Sequence, residues 1–380
     1  MNQQNHTKHP GIYIHIPFCR SKCSYCNFYS TTAINRIDPF LNALFIEMNL
    51  CGSSWNRFDT LYVGGGTPSL LTMKQFSDVL SHIRETFRFT ENPEITVEIN
   101  PADMNLNDLK SLRSMGVNRI SIGVQSFNDD ILAFLGRRHT GSQARRTIAD
   151  AGRAGFENIG LDLMYGIPGQ DIPSWAETLE EAISCELEHL SCYQLTLEDD
   201  TPLGKRRQMG EFLLPDEDRQ YDFFMRTSTI LGDAGYVHYE VSNFARNKNL
   251  VSRHNSKYWN HHTPYLGLGP AAHSLAENRR WWNKVSLTEY LADIHSGKAP
   301  IATSETLSTE ALRLEALFLG FRTKEGIHLE NFNTRFECDL LEEKAETIEI
   351  LQNSGFIRIE DGYLRPTPSG MAVADSLSLI

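Results

Sequence analysis

Along the first half of the chain, short apolar runs alternate with longer stretches in which apolar residues recur every three to four positions. The runs lie at 11–17, 60–66, 94–100, 119–125, 158–168 and 190–198, each of strand length and each bounded by turn residues. Between them, 39–50, 73–87, 106–115, 143–154 and 174–185 have helical length and period. Strands that are apolar almost throughout and separated by helices predict a parallel sheet covered by helices, because parallel neighbours need a crossover of helix length. The expected fold class is α/β, a partial (β/α)6 barrel of six strands. A further long helix is expected at 217–235.

The C-terminal pattern differs. The stretch 311–321 is amphipathic and 340–353 reads as a second helix, while 355–365 reads as two short strands around Asp361-Gly362. These predict a small α+β, winged-helix-like domain. The expected division is a disordered lead at 1–10, the barrel at 11–235, a connecting segment at 236–286 and the C-terminal domain at 287–380. That domain has no basic face, so it is expected to cover the barrel mouth or dock a partner rather than bind DNA.

Functional groups of such barrels collect at the C-terminal ends of the strands, and the unusual residues of this chain fall there. After the first run comes C-R-S-K-C-S-Y-C-N-F, in which Cys19, Cys23 and Cys26 can bring three thiolates to one centre. A zinc site of this spacing needs a fourth protein ligand nearby, whereas three thiolates suit a [4Fe-4S] cluster with one iron left open. After the second run comes Gly64-Gly65-Gly66-Thr67-Pro68, where the backbone can approach a ligand closely. Glu98 is a carboxylate within an apolar strand, costly unless it accepts hydrogen bonds, which a ribose diol could supply. Gln125, Arg137 and Asp162 are polar groups at or near later strand ends, and the guanidinium of Arg137 suits a carboxylate. Each alone reads equally well as a satisfied structural group. Together, in order, they favour a cofactor site.

Composition narrows the partners. The net charge is −12, and basic residues occur only in short groups such as Lys205-Arg206-Arg207 and Arg279-Arg280, which argues against nucleic acid. The 41 % hydrophobic and 22 % charged fractions are those of an ordinary globular protein. No uninterrupted apolar run is long enough to cross a bilayer, and the polar start shows no secretory signal. Cys51, Cys185, Cys192 and Cys338 are scattered singly, as reduced thiols of a cytoplasmic protein would be.

The cysteine spacing, with Tyr25 before the last cysteine, resembles the radical S-adenosylmethionine (SAM) enzymes. That resemblance implies a cluster held by Cys19, Cys23 and Cys26, with SAM chelated at its open iron and cleaved reductively to a 5′-deoxyadenosyl radical. It implies that Gly65, Gly66 and Thr67 meet the SAM amino group, that Tyr13 lies beside the methionine, and that Glu98, Gln125, Arg137 and Asp162 contact the nucleoside or carboxylate. On residues alone, Tyr13 reads as a core or rim aromatic.

Further along, G-Y-V-H-Y-E-V-S-N-F at 235–244 and G-L-G-P-A-A-H-S at 267–274 resemble oxygen-independent coproporphyrinogen oxidases and their relatives. The H-N-S-K-Y-W at 254–259 is similar to a motif of the HemW-type haem chaperones, a sister branch. The oxidases carry a further cysteine where this chain has Phe28, and a longer segment before the first strand. The chaperone branch is therefore the preferred expectation: binding haem and delivering it to apo-haemoproteins, including membrane respiratory enzymes, with an electron donor for the cluster. The alternative is the dehydrogenase that oxidatively decarboxylates coproporphyrinogen III. His254, close to Tyr258 and Trp259, is the expected haem ligand, with His238, His261, His262 and His273 as alternatives.

Overall fold

The structure is a computed structural model, described for residues 9–52 and 55–377. Six strands form its centre: β1 (Gly11–Ile16), β2 (Phe58–Gly65), β3 (Phe89–Ile99), β4 (Arg119–Gln125), β5 (Ile159–Tyr165) and β6 (His189–Gln194). They pair in parallel in the order in which they occur, with Tyr13 opposite Tyr62 and Val97 opposite Ile120 in the register. This is the expected partial (β/α)6 barrel, and each expected run and helix is present with ends moved by a few residues.

Local chemistry fixes the helices. Those at Met73–Thr86, Leu106–Ser114, Gly141–Arg153 and Ile172–Ser184 start on capping boxes set by Thr72, Asn105, Thr140 and Asp171. Each such cap is worth about 1 kcal/mol by satisfying N–H groups that have no partner within the helix. The outward strand faces, including Ile12, Ile14, Ile16, Val63, Val97, Ile122 and Leu161, form one continuous core with the helices. The inward faces carry Tyr62, Glu98, Ser121, Asp162 and Ser191, so the lumen is polar where a closed barrel of this kind packs branched apolar side chains. A polar lumen is a binding space.

The sheet is wider than the sequence predicts. The segment 236–286, expected to be a connection, contributes β7 (Val237–Glu240), β8 (Asn243–Ala245), β9 (Tyr265–Leu268), β10 (His273–Ala276) and β11 (Arg279–Asn283). With β12 (Ile301–Thr306), the order becomes β12-β11-β10-β9-β1-β2-β3-β4-β5-β6-β8-β7. These added strands are three to six residues long, too short for alternation to mark them in sequence.

A second hydrophobic cluster runs from Ala316 to Leu377, around the helix Thr309–Gly320 and a small antiparallel sheet. That sheet comprises β13 (Ile327–His328), β14 (Ile357–Glu360) and β15 (Tyr363–Pro366), with the expected hairpin at its turn. Leu287, Tyr290, Leu291 and Ile294 belong instead to the barrel core. The helix expected at 340–353 breaks at Lys344, which leaves helical geometry with φ −120° and ψ 22°. The C-terminal unit docks on the free edge of β7, where Val241 N–H donates to Arg322 O at 2.9 Å and Lys324 N–H to Tyr239 O at 3.0 Å. This docking covers a sheet edge that would otherwise present unpaired backbone groups.

Candidate functional site

The loop after β1 is held by its own backbone and by its neighbours. Cys19 N–H donates to Thr31 O at 3.0 Å, Cys26 N–H to Cys23 O at 3.2 Å, and Ser24 Oγ–H to Leu135 O at 2.9 Å. Tyr25 packs with Leu135, Met164, Ile167 and Leu195, so the aromatic residue of the motif anchors the loop to the barrel rim. Cys19 is buried, and Cys23 and Cys26 are half-buried. Burial pushes the Cys26 thiol up, countered by a hydrogen bond from the backbone of Phe28.

A cavity of about 600 Å³ opens from this loop into the lumen. Cys19, Cys23, Cys26, Gly65, Gly66, Thr67, Glu98, Gln125, Arg137 and Asp162 all line it. The glycines are required by crowding. A Cβ on Gly65, which has φ +108°, would lie 2.5 Å from the His15 ring, and one on Gly66 would lie 2.7 Å from Phe18 O. Their N–H groups are spent within the protein, Gly65 on Glu98 at 3.1 Å and Gly66 on Ile16 O at 2.8 Å, so the loop is fixed at the cavity wall.

Burial dominates the two carboxylates of the lumen, although Arg137 and Arg119 lie near Asp162. Glu98 accepts from Tyr62 OH at 2.8 Å and from Gly65 N–H at 3.1 Å. Burial, then the nearby Asp162, nevertheless raises its pKa to about 7. Asp162 accepts from Ser121 Oγ–H at 3.1 Å, and burial raises its pKa also. Glu98 keeps two protein donors and Asp162 has Ser121 and Ser191, and the acceptor capacity left on each carboxylate suits ligand hydroxyls that donate.

Arg137 spends its Nη2 on Asn100 Oδ1 at 2.8 Å and Gly123 O at 2.5 Å, and reaches Cys23 Sγ from Nη1 at 3.6 Å. Its Nε has no protein partner. The fork expected for a carboxylate is therefore largely engaged within the protein, with Nε the donor left over. Gln125 takes φ +66° at an irregularity in the β4–β5 pairing, a left-handed conformation that turns a buried side chain to the cavity.

The thiolate trio fits an iron–sulfur cluster. Thr67 Oγ1–H points at Cys19 Sγ at 3.4 Å and Arg137 at Cys23 Sγ at 3.6 Å, so two of the sulfurs already have hydrogen-bond donors. Among the described residues, no three His, Cys, Asp or Glu side chains converge tightly enough for one ion. Thiolates that each bind a different iron of a cluster need not converge in that way.

Two expected residues lie elsewhere. Tyr13 does not line the cavity. Its hydroxyl is 3.0 Å from His15 Nδ1, one inward position deeper in β1 than His15 itself, so it stands behind the glycine loop. His254 is 1 % exposed, with Nδ1 2.9 Å from Thr60 Oγ1, Nε2 2.9 Å from Tyr258 OH, and its ring stacked on Tyr62 at 5.0 Å. Both ring nitrogens of His254 are thus engaged within the protein, and the expected haem ligand lines neither the lumen nor the cleft beside it. The same short helix, Asn255–Tyr258, plugs the lumen from its base, with Glu94 accepting from the backbone N–H of Arg253 and His254 and Lys257 paired to Asp59 at 2.7 Å.

The sequence reading missed Asn100, Ser121, Ser191 and Tyr193, which also line the cavity. Their inward positions two residues apart on the strands were the available signal.

Residues 13–182 match the radical SAM superfamily and residues 307–373 the HemN C-terminal domain. Over 97 % of its length this chain is 34 % identical to haem chaperone HemW of Lactococcus lactis subsp. lactis, covering 96 % of that protein. It is 31 % identical to haem chaperone HemW of Bacillus subtilis, covering 97 % of each. It is 33 % identical to the mitochondrial radical S-adenosyl methionine domain-containing protein 1 of Danio rerio, covering 98 % of this chain and 87 % of that one. Among solved structures, the coproporphyrinogen III oxidase HemN of Escherichia coli superposes with a TM-score of 0.84 over 99 % of this chain and 91 % of that one, at 22 % identity. At that identity the likeness establishes the fold.

Proposed function

The chain belongs to the HemW-like branch of the radical SAM superfamily, and on that premise we propose that it is a haem chaperone, binding haem and passing it to haem-requiring proteins. The observation that carries this reading is identity of 31 to 34 % with haem chaperones along nearly the whole chain, C-terminal unit included.

In this reading Cys19, Cys23 and Cys26 hold a [4Fe-4S] cluster. Gly65, Gly66 and Thr67, with Glu98, Gln125, Arg137 and Asp162, hold SAM in the cavity beside it. When bound and reduced, that pair supplies the one-electron cleavage chemistry of the superfamily. The protein's own part is positioning. Tyr62 and Gly65 orient the Glu98 carboxylate towards the lumen, and Arg137 fixes Cys23 relative to β4.

Recipients would include respiratory enzymes at the membrane, and an electron donor would serve the cluster. Among the described residues no helix is long and apolar enough to cross a membrane, and all seven cysteines are free thiols, which supports a cytoplasmic protein that meets membranes through its recipients.

The test is transfer. Protein loaded with haemin should pass it to an apo-haemoprotein, read as the recipient's own Soret spectrum, and failure to take up haemin would end this reading. The second reading, coproporphyrinogen III dehydrogenase, draws on the fold match to HemN. Against it stands Phe28, 69 % exposed at the cavity, at the position where the oxidases have a further cysteine. Anaerobic incubation with coproporphyrinogen III, SAM and a reductant should yield no protoporphyrinogen, and clear product would favour the dehydrogenase.

A further inference from the structure

A second cavity, of about 900 Å³, lies between the 237–262 stretch and the C-terminal unit, on the far side of the plug from the cysteine loop. Its size is at the upper end of the range for small-molecule sites. Its walls are aromatic, with Trp259 from the segment after the plug and Phe332, Phe336 and Tyr363 from the C-terminal unit. The His261 ring stacks on Phe336, with centroids 6.1 Å apart and planes at 29°.

Two of its buried polar atoms have no hydrogen-bond partner: His261 Nε2 and Arg365 Nε. Unpaired buried polar groups are costly, so a cavity lined by the residues that carry them fits a ligand that pairs them. Of the other histidines, His328 in this lining accepts from Asn331 N–H at its Nδ1. His254 is bonded at both ring nitrogens, and His238 lies near Ser228 Oγ at 3.0 Å and Val241 O at 3.3 Å. His273 lies flat against Trp282 at 5.5 Å, and His262 Nε2 is 2.6 Å from Arg335.

The charge of the lining also fits a flat dianion. Lys248, Lys324, Arg335 and Arg365 outnumber Glu240 and Glu325.

We propose that this cleft is the haem site, with His261 Nε2 as axial ligand braced by Phe336, the porphyrin beside Trp259, and Arg335 and Arg365 at the propionates. The proposal rests on the haem-chaperone reading and gives that reading a location. Binding changes no oxidation state: the neutral imidazole donates its Nε2 lone pair to ferric haem, displacing a water or chloride, and its proton stays on Nδ1.

The test is haemin titration of the full-length, cluster-reconstituted protein, followed by Soret absorbance and ferric EPR. His261→Ala should weaken binding by at least about tenfold and abolish the imidazole signature, which added free imidazole should restore. His261→Phe, which keeps an aromatic ring against Phe336, should behave as His261→Ala does and so separate ligand loss from misfolding. Arg335→Ala should weaken binding while leaving the ligand signature unchanged. Wild-type binding with His261→Ala and His261→Phe unchanged in affinity and spectrum would overturn the cleft assignment and leave the chaperone reading standing. No haemin uptake by the wild type would remove both.

Discussion

Glu47 shows how one side chain ties the barrel to its extension. It is 2 % exposed on the helix Ile37–Cys51, and accepts from Gly269 N–H at 2.8 Å, Asn283 Nδ2 at 2.5 Å and Tyr290 OH at 2.7 Å. Burial outweighs these three donors and raises its pKa to about 7 from 4.5. The unfolded chain therefore loses this proton first, and stability from this group is complete below about pH 4.5 and lost as pH rises through about 7. Chemical denaturation should show the wild type losing on the order of 3 kcal/mol from this group between acidic and mildly alkaline pH. Glu47→Gln should remove that share of the slope. A residual slope of the same sign should remain, because Glu98 and Glu240 are raised in the same way. At this scale the sequence was legible where chemistry is local: Cys19, Cys23 and Cys26 share one loop, and Glu98 stands out in an apolar strand. It was not legible for Tyr13 and His254, whose roles depend on which distant hydroxyl or ring lies against them.

Among the elements, the short helix Asn255–Tyr258 is the most informative. Its H-N-x-x-Y-W sequence suggests a ligand beside aromatic residues, because histidine and tyrosine four apart share a helix face. In the fold His254 is buried while Tyr258 stays partly exposed. His254 and Tyr258 bond each other, while Lys257, 1 % exposed, pairs with Asp59 and donates to His9 O at 2.9 Å. His254→Ala should leave Thr60 Oγ1 without its partner and open a void against Tyr62, costing about 2–4 kcal/mol in thermal or chemical unfolding. Haemin affinity and Soret position, measured below the lowered transition, should match the wild type. A spectral change at unchanged stability would return His254 to the ligand role. The parallel strands and their helices were readable because each is long enough to express its period. The edge strands, at three to six residues, were not.

For the molecule as a whole, the two hydrophobic clusters have different owners. Among the described residues the barrel core draws on none beyond Ile294, and the second cluster starts at Ala316. The sequence reading recognised a C-terminal unit from its change of pattern, but not that 287–306 packs with the barrel, because helix Leu287–His295 carries no label of its destination until Tyr290 meets Glu47. A chain ending at residue 308 should accordingly retain its fold and take up the cluster, with the broad visible absorption intact. It should lose haemin binding, since one wall of the cleft is gone. Failure of the shortened chain to fold at all would mean that the exposed β7 edge matters more than core ownership suggests.

Tyr239 belongs to the partition between the two cavities. It lines the cleft, while its hydroxyl is 2.8 Å from Nε2 of His189, which lines the lumen. Along the same partition Ser252 and Asn255 face one space, and Val251 and Ser256 the other. With haem in the cleft and a nucleotide in the lumen, as proposed, a wall one side chain thick would let the two act on each other without contact. Whatever factor a nucleotide in the lumen imposes on haem affinity, haem must impose on the nucleotide, so loading and release become two readings of a single coupling energy.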